Sequence, residues 1–557
     1  MRPLTHYYGM YNCSTEKFFG KDPMSCPHAN TSGAIVMPDY NGLYKCTWAR
    51  GENVKACANP HQSLPMHKRP SGPAKSVLEF IGDTPLVKLE RIMKKYDLPC
   101  ELYAKCEFFN AGGSIKDRIG LRMIEEAERS GRLKPGDTII EPTSGNTGVG
   151  LCVAAAIKGY KVIITMPEKM SAEKVNMMKC LGAEIIRSAD EAPWNSPESH
   201  IGIALKLNKE IPNSHILDQY KNPANPLAHY EGTGAEILKQ LNNDVYAVVI
   251  AAGTGGTLTG IARKVKDTVP DCKVVAIDPV GSILAQPDSL NDYKRLEGYQ
   301  VEGIGYDFVP TVLDRTVVDE WVKIDDPEAL ACARDLIRYE AMVCGGSGGS
   351  NLAGCLKWIK SQPRESLVGK KIVTILPDSS RNYMSKFLDD NWMMDKGFMS
   401  YDSAPQSKQP WSHDCLVDSL ISPALTVSGD ACIGEVVSQL ASQSLEECAV
   451  MDAGKGNIVG SVSKAALFNS LACGKASPDS LVKQVMNKKP KLITQDTPMG
   501  HVAKMLESHN MVFVVDGTLA SPTKTVKGVV TRDEVLPYVL SKAQKGKENE
   551  KPLQKHV

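Results

Sequence analysis

The sequence predicts an α/β protein, on three observations. Short apolar runs alternate with amphipathic stretches of helical length from about residue 75 to 385. Glycine-rich loops fall where the apolar runs give way to the helical pattern. Two related copies of one pattern, offset by roughly 65 residues, follow within 413–541. Strand–loop–helix repetition marks parallel βα units, and two such ladders predict two lobes with a cleft between them.

Along the chain, residues 1–74 hold Cys and His among turn formers without hydrophobic periodicity, and read as an irregular segment. In 75–385, a helix over Ile119–Arg129 follows the turn Asn110-Ala-Gly-Gly-Ser-Ile-Lys116. Thr138–Glu141 is a strand, Thr143-Ser-Gly-Asn-Thr-Gly148 a loop, and Val149–Ile157 a helix. Strand Lys161–Met166, a helix with Ser171 as N-cap, and strand Ala183–Arg187 come next. The second ladder runs through strand Val245–Ala252, loop Gly253-Thr-Gly-Gly-Thr257, helix Leu258–Lys266 and strand Lys273–Asp278. A third glycine loop, Cys344-Gly-Gly-Ser347-Gly-Gly-Ser350, precedes a helix over Leu352–Ile359. Residues 386–412 lose the rhythm and read as a linker, partly ordered by Trp392 and Trp411. The repeat aligns Ala449-Val-Met-Asp452 with Phe513-Val-Val-Asp516, and Gly460 with Gly528. Each copy needs the other to cover its apolar face. The Lys/Glu-rich tail 542–557 is expected to be disordered.

Composition narrows the function classes. With 557 residues, 42% hydrophobic and 23% charged, the chain suits a soluble protein of about three domains. Lys+Arg (65) balances Asp+Glu (64), so no global charge excess recruits nucleic acid or anionic membrane. The 16 cysteines are scattered without a CxxC pair, so no disulfide framework is expected. The start, MRPLTHYYGM, lacks an apolar signal core. The longest uncharged run, Val245 to Ala262, is broken by four glycines and is no membrane span. A cytoplasmic enzyme of small molecules, without nucleic-acid or membrane partners, is expected.

Chemistry gathers at the loops. A lysine is ordinarily solvated, but Lys116 sits between a glycine turn and an amphipathic helix, the setting of a Schiff-base lysine. The 143–148 loop is either an ordinary βα turn or a carboxylate site at a helix N-terminus. The 253–257 loop fits neither the nucleotide P-loop nor the full dinucleotide fingerprint, and suits a small monophosphate better. A lysine, an anion loop and a phosphate loop in one α/β unit suggest pyridoxal phosphate.

Taken together, Ile81-Gly-Asp-Thr-Pro-Leu, Gly-Gly-Ser-Ile-Lys116-Asp-Arg, Pro-Thr-Ser-Gly-Asn-Thr-Gly, Gly-Thr-Gly-Gly-Thr, Glu302-Gly-Ile-Gly-Tyr-Asp and Cys-Gly-Gly-Ser347 resemble the cystathionine β-synthases. These are fold-type II pyridoxal-phosphate enzymes, and the resemblance is dense over roughly residues 75–390. The C-terminal repeat resembles the paired CBS motif. The resemblance implies a two-lobed parallel-sheet catalytic core at 75–385, an N-terminal haem segment at 1–74 and a tandem CBS regulatory module at 413–541. It implies that Lys116 holds the cofactor and that Asn146 binds the pyridine 3′-oxygen. Gly253, Thr254, Gly255, Gly256 and Thr257 would hold the phosphate, and Ser347 would face the pyridine nitrogen. Thr143, Ser144, Thr147 and Gln219 would cradle the substrate carboxylate, Gly303 would also bind substrate, and Tyr220 and Tyr306 would be gate or second-substrate residues. The implied reaction joins L-serine and L-homocysteine into L-cystathionine and water, with hydrogen sulfide from cysteine as a side activity, in a homo-oligomer.

Lys45-Cys46-Thr-Trp and Asn59-Pro60-His61 resemble the family's haem stretch, so Cys46 and His61 are the implied axial ligands of haem b, with Arg263 beside the cysteinate. His67 and the pair Cys26/His28 are rivals, and a zinc or purely structural Cys/His stretch is the alternative. The chain also departs from the family. Val269 stands beside Cys272 where vertebrate members carry CxxC. Thr531 is followed by Arg-Asp533-Glu534, and Glu446, Glu447 and Cys448 border the regulatory pocket, which weakens the expectation of S-adenosylmethionine as allosteric ligand. Two other readings are a cysteine synthase using O-acetylserine and sulfide, and a ligand sensor on an inert catalytic fold.

Overall fold

The computed structural model describes residues 64–549 apart from 144, 168–169, 189–195, 292–298, 401–408, 410, 416, 453, 455, 489 and 518–523. The chain forms two units, Met1–Asp389 and Asp390–Val557.

The first unit opens with β1 (Leu86–Lys88), α1 (Glu90–Lys95), β2 (Glu101–Cys106) and α2 (Lys116–Arg129). It continues with β3 (Thr138–Pro142), α3 (Asn146–Lys158), β4 (Lys161–Pro167), α4 (Ala172–Cys180), β5 (Glu184–Ser188), α5 (His200–Glu210) and β6 (Ser214–Ile216). Then come α6 (Ala224–Ala228), a π-helical turn (His229–Gly234), α7 (Ala235–Gln240), β7 (Ala247–Ala251), α8 (Gly256–Thr268) and β8 (Lys273–Pro279). The unit closes with β9 (Glu320–Ile324), α9 (Asp326–Glu340), α10 (Gly346–Ser361) and β10 (Lys371–Leu376).

Two sheets result. β5-β4-β3-β6 is wholly parallel. β1-β2-β10-β7-β8-β9 is parallel except for its antiparallel edge strand β1. β7 reads Ala-Val-Val-Ile-Ala because helices cover both faces, so no polar alternation survives. α2 turns Ile119, Met123, Ile124 and Ala127 into one core, against Leu151, Ile164 and Met178. α8 places Leu258, Ile261, Ala262 and Val265 into the other, against Val248, Ile250, Val274 and Val373.

Four helices begin earlier than the apolar rhythm indicates. They start at Lys116, Asn146, Gly256 and Gly346 rather than at Ile119, Val149, Leu258 and Leu352. Their first turns consist of glycine, polar residues and a lysine facing the cleft, so they carry no apolar period. Ser171 occupies the N-cap position of α4, but its hydroxyl caps nothing.

In the second unit, residues 390–395 of the expected linker form α11 (Asp390–Asp395). Trp392 packs on Phe398, and Trp411 edge-on against Tyr538. The repeat appears as β11 (Thr426–Ser428), α12 (Ile433–Ser442), β12 (Glu447–Met451), β13 (Ile458–Ser463) and α13 (Lys464–Ala472). Its second copy is β14 (Leu492–Ile493), α14 (Met499–Ser508), β15 (Met511–Val515), β16 (Val526–Thr531) and α15 (Arg532–Asn549). Each copy makes a three-stranded sheet with one parallel and one antiparallel pairing. The register shifts at matching places, Val450/Met451 and Val514/Val515. The copies interlock: Ser422, ahead of β11, exchanges both backbone hydrogen bonds with Val529 in β16, at 2.8 and 2.9 Å. Ala449, Met511, Phe513 and Val529 form the core between the sheets. α15 runs on through residues 542–549 of the Lys/Glu-rich tail. Among the described residues no helix is long and apolar enough to cross a membrane.

Candidate active site

The carboxyl ends of β3, β6, β7 and β10 open onto one cleft of about 700 Å³ between the two sheets of the first unit. In parallel α/β sheets this end is where ligands bind. The cleft is lined by Lys116, Asn146, Thr147, Gln219, Gly253, Thr254, Gly255, Thr257, Gly303, Tyr306 and Ser347, which brings together most of the expected residues.

Lys116 is the first residue of α2. The preceding turn is pinned to the end of β10, where Ile115 N–H donates to Pro377 O at 2.7 Å and Ser114 bridges Asp378. Lys116 is therefore fixed at the root while its amine points into the cleft, with no hydrogen bond or ion pair to a described residue. Burial pulls its pKa down to about 8, against the opposing pull of the Asp378 and Glu107 carboxylates.

Three helices point their N-termini at this space, and each has glycine at the N-cap: Gly145 for α3, Gly255 for α8 and Gly345 for α10. None of the three is capped by a side chain. Amides left open at a helix start, together with the positive end of the helix dipole, form an anion site. Gly255 adopts φ +86°, and a Cβ there would lie 2.4 Å from Leu313 Cβ. At Gly256 a Cβ would lie 1.9 Å from Asn225 Oδ1. Asn225 in turn donates to Thr254 Oγ1 at 3.1 Å and to Gln219 O at 2.8 Å, so it links the phosphate-type loop to the Gln219 turn. Gly256→Ala is therefore expected to push Asn225 out and cost the loop its shape. Full-length Gly256→Ala should lose cofactor on dialysis under conditions where the parent keeps it; equal retention would refute this packing argument.

The wall opposite carries a buried polar network. Asn146 Nδ2 donates to Asp378 Oδ2 at 2.8 Å, and Tyr383 OH donates to the same oxygen at 2.6 Å. Lys174 lines the cleft and donates to Glu302 at 2.8 Å and to Tyr383 OH at 3.0 Å. Lys386 also pairs with Glu302. Burial raises Glu302, but Lys174 and Lys386 outweigh it and hold the carboxylate below its ordinary range. Asn351 ties the ends of β7 and β10, accepting from Ala251 N at 2.6 Å and donating to Ile375 O at 2.7 Å. Ser347 is buried at the start of α10, and its hydroxyl has no partner among the described residues. Thr147 Oγ1 donates to Gln219 Oε1 at 2.7 Å, and Glu141 accepts the backbone N–H groups of Asp218 and Gln219 at 3.0 and 2.9 Å.

Some expected residues lie elsewhere. Thr143 is buried and spends its hydroxyl on Gly145 N–H, at 3.2 Å, shaping the loop. Gly256 is the one member of its loop that does not line the cleft, and it packs against Asn225 instead. Tyr220 is buried behind the wall, edge-on to Tyr306 and Phe308. Ser144, Cys46, His61, Cys26 and His28 lie outside the described residues. His67 Nε2 donates to the carbonyl of Glu79 at 2.8 Å. Arg263 is held by Asp314 at 2.8 Å, and Cys272 is buried with its thiol pushed up to about 12. In the second unit Glu534 accepts from Ser422 Oγ at 2.7 Å and from Thr531 N–H at 2.8 Å, so its carboxylate is engaged in the fold. Lys174, Asn351 and Asp378 are the residues sequence reasoning missed.

An unpaired amine of lowered pKa, three open helix starts and an unpartnered hydroxyl fit a cofactor with an aldehyde, a phosphate and a ring nitrogen. In keeping with this, the family described as pyridoxal-phosphate dependent enzyme matches residues 77–378, and the CBS domain matches 482–541. The fold and the site thus define a pyridoxal-phosphate-dependent enzyme. The chain is 48% identical over 551 residues to the cystathionine beta-synthase of Oryctolagus cuniculus, covering 94% of this chain and 98% of that one. It is 49% identical to the cystathionine beta-synthase of Mus musculus over 505 residues, 90% of this chain and 88% of that one. A hydrogen sulfide-producing enzyme from Fusobacterium nucleatum is a similar solved structure, with TM-score 0.52, 35% identity, 56% of this chain and 99% of that one. The chain belongs to the cystathionine β-synthase family.

Proposed function

We propose that this protein condenses L-serine with L-homocysteine to give L-cystathionine and water. The single observation that carries the reading is the Lys116 amine, unpaired among the described residues, in a cleft that three uncapped helix N-termini face. When bound, pyridoxal phosphate supplies an electron sink that acidifies the substrate Cα–H. Lys116 Nζ holds the cofactor and, once released, takes the Cα proton. Gly253 to Thr257 bind the phosphate with open amides and hydroxyls. Ser347 offers a neutral hydroxyl to the ring nitrogen and Asn146 an amide to the 3′-oxygen. Ser144, Thr147 and Gln219 orient the substrate carboxylate, Thr143 acts by shaping the 143–148 loop, and Tyr306 and Gly303 border the space for the incoming thiol. Purified protein given serine and homocysteine should form cystathionine. Conversion of O-acetylserine and sulfide to cysteine, without cystathionine formation, would favour a cysteine synthase, and no turnover with either pair an inert sensor.

The reading extends to haem b on Cys46 and His61, supported by the sequence of residues 45–61. His67 Nε2 donates to Glu79 O, which leaves Nδ1 as the acceptor of that ring, so His67 stays a rival to His61. Cys46→Ala should abolish or weaken the Soret band while pyridoxal phosphate stays bound; parent protein without a Soret band would defeat the haem assignment. For the C-terminal unit, the engagement of Glu534 with Ser422 and Thr531 supports weak rather than strong response to S-adenosylmethionine.

A further inference from the structure

His229 is fully buried at the start of the π-helical turn 229–234, a kind of distortion that recurs at functional sites. Its ring lies between two hydroxyls. Nδ1 is 2.9 Å from Thr233 Oγ1 and Nε2 is 3.1 Å from Thr257 Oγ1. Thr233 is fully buried, whereas Thr257 lines the cleft in the first turn of α8. Neither hydroxyl has another partner among the described residues.

A neutral imidazole has one donor and one acceptor, so only two arrangements satisfy both contacts. In one, Nδ1–H donates to Thr233 and Nε2 accepts from Thr257, whose only hydrogen is then used up. Thr257 would present lone pairs to the cleft and repel an anion. In the other, Thr233 O–H donates to Nδ1, Nε2–H donates to Thr257 Oγ1, and the Thr257 hydrogen is free to point into the cleft. Burial, with the Arg118 and Lys116 cations, holds His229 well below the usual imidazole range and so keeps it neutral.

We propose that His229 is a positioning residue: with Thr233 O–H donating to Nδ1, the resulting Nε2–H turns Thr257 into a hydrogen-bond donor toward the phosphate. The proposal rests on the assignment of the 253–257 loop as the phosphate site. Only the second arrangement lets a phosphate dianion receive a hydrogen bond from Thr257, and a bond to a charged group is among the stronger ones.

The test is a double-mutant cycle on the full-length chain, read as the pyridoxal phosphate dissociation constant by equilibrium dialysis and as the ³¹P shift of the bound phosphate. Thr257→Val should weaken binding by roughly tenfold to a hundredfold. His229→Asn, which reaches Thr233 but not Thr257, should weaken it by about tenfold or more. His229→Gln, whose amide can donate to Thr257, should recover most of the loss. In the Thr257→Val background, His229→Asn should add nothing, because its effect runs through that hydroxyl. Undiminished loss in that background, or Gln no better than Asn, overturns the proposal. Thr257→Val with unchanged affinity and ³¹P shift would instead overturn the loop assignment itself. Should His229→Asn not fold, Thr233→Val removes the donor that keeps Nδ1 unprotonated. It should weaken cofactor binding in the parent but not in the Thr257→Val chain, and equal losses in both would again refute the relay.

Discussion

Lys116→Ala is expected to lower turnover by roughly 10³-fold or more while leaving the far-ultraviolet circular dichroism unchanged. Two jobs fall on one nitrogen, holding the cofactor and carrying the Cα proton, and among the described residues no other cleft amine is free to take them over. Lys174, the other lysine lining the cleft, is committed to Glu302 and Tyr383. The fold survives because the turn before Lys116 is pinned through its backbone to Pro377, and the side chain itself bonds nothing described. A companion result concerns pH. Burial brings the amine to about 8, and only its neutral form can bond a carbonyl carbon. Reloading of cofactor-free protein should therefore accelerate as pH rises and level off above about 8, well below the range of an ordinary lysine. Near-normal activity in the alanine variant would remove Lys116 from the chemistry, and a loading profile still climbing at pH 10 would contradict the lowered pKa.

The second large effect is on stability. Behind Lys116 lies a buried quartet of two cations and two carboxylates. Arg118 meets Glu107 and Glu236, each at 2.7 Å, and Lys105 meets Glu236 at 2.7 Å. Glu236 also accepts the backbone N–H groups of Asp83 and Thr84, at 2.9 and 3.3 Å, in the turn ahead of β1. Burial raises the Glu236 pKa, but Arg118 and Lys105 outweigh it and hold the carboxylate far below its usual range. Glu236→Gln leaves two buried cations facing one anion. Breaking such a pair from one side costs about 3–5 kcal/mol, or roughly 4–7 °C in the melting of a unit as large as the first, measurable by calorimetry. The sign with pH follows. Because the folded-state pKa is lowered, this stabilisation is present above the ordinary glutamate range and is lost as pH falls through the folded value. The parent's advantage over the variant should shrink in acid. A melting drop under about 2 °C would show that the quartet contributes little.

Both quartet and cleft illustrate what a linear reading reaches. The loops at 143–148, 253–257 and 344–350 were legible because glycine runs between strand and helix patterns are local signals, and so was Lys116 within its turn. Helix starts were misjudged by two to six residues because their first turns serve the cleft and carry no apolar rhythm. Lys174, Asn351 and Asp378 left no local trace. Lys174 gains its meaning from Glu302, 128 positions away, and Asn146 from Asp378, 232 positions away. Tyr220 shares its segment with Gln219, but the backbone turn held by Glu141 sends the first into the wall and the second into the cleft.

The middle of the larger sheet is the strand translated last. β10 pairs with β2 on one side and β7 on the other, joining Lys371 to Glu101 and Ile372 to Ala247. Until it leaves the ribosome, β2 and β7 present raw edges that can pair with the wrong chain. The floor of the cleft at Ile375 and Pro377 does not yet exist. Nascent chains stopped anywhere short of this strand should form no partial catalyst, and such long-range closure makes folding slow and dependent on protection during synthesis.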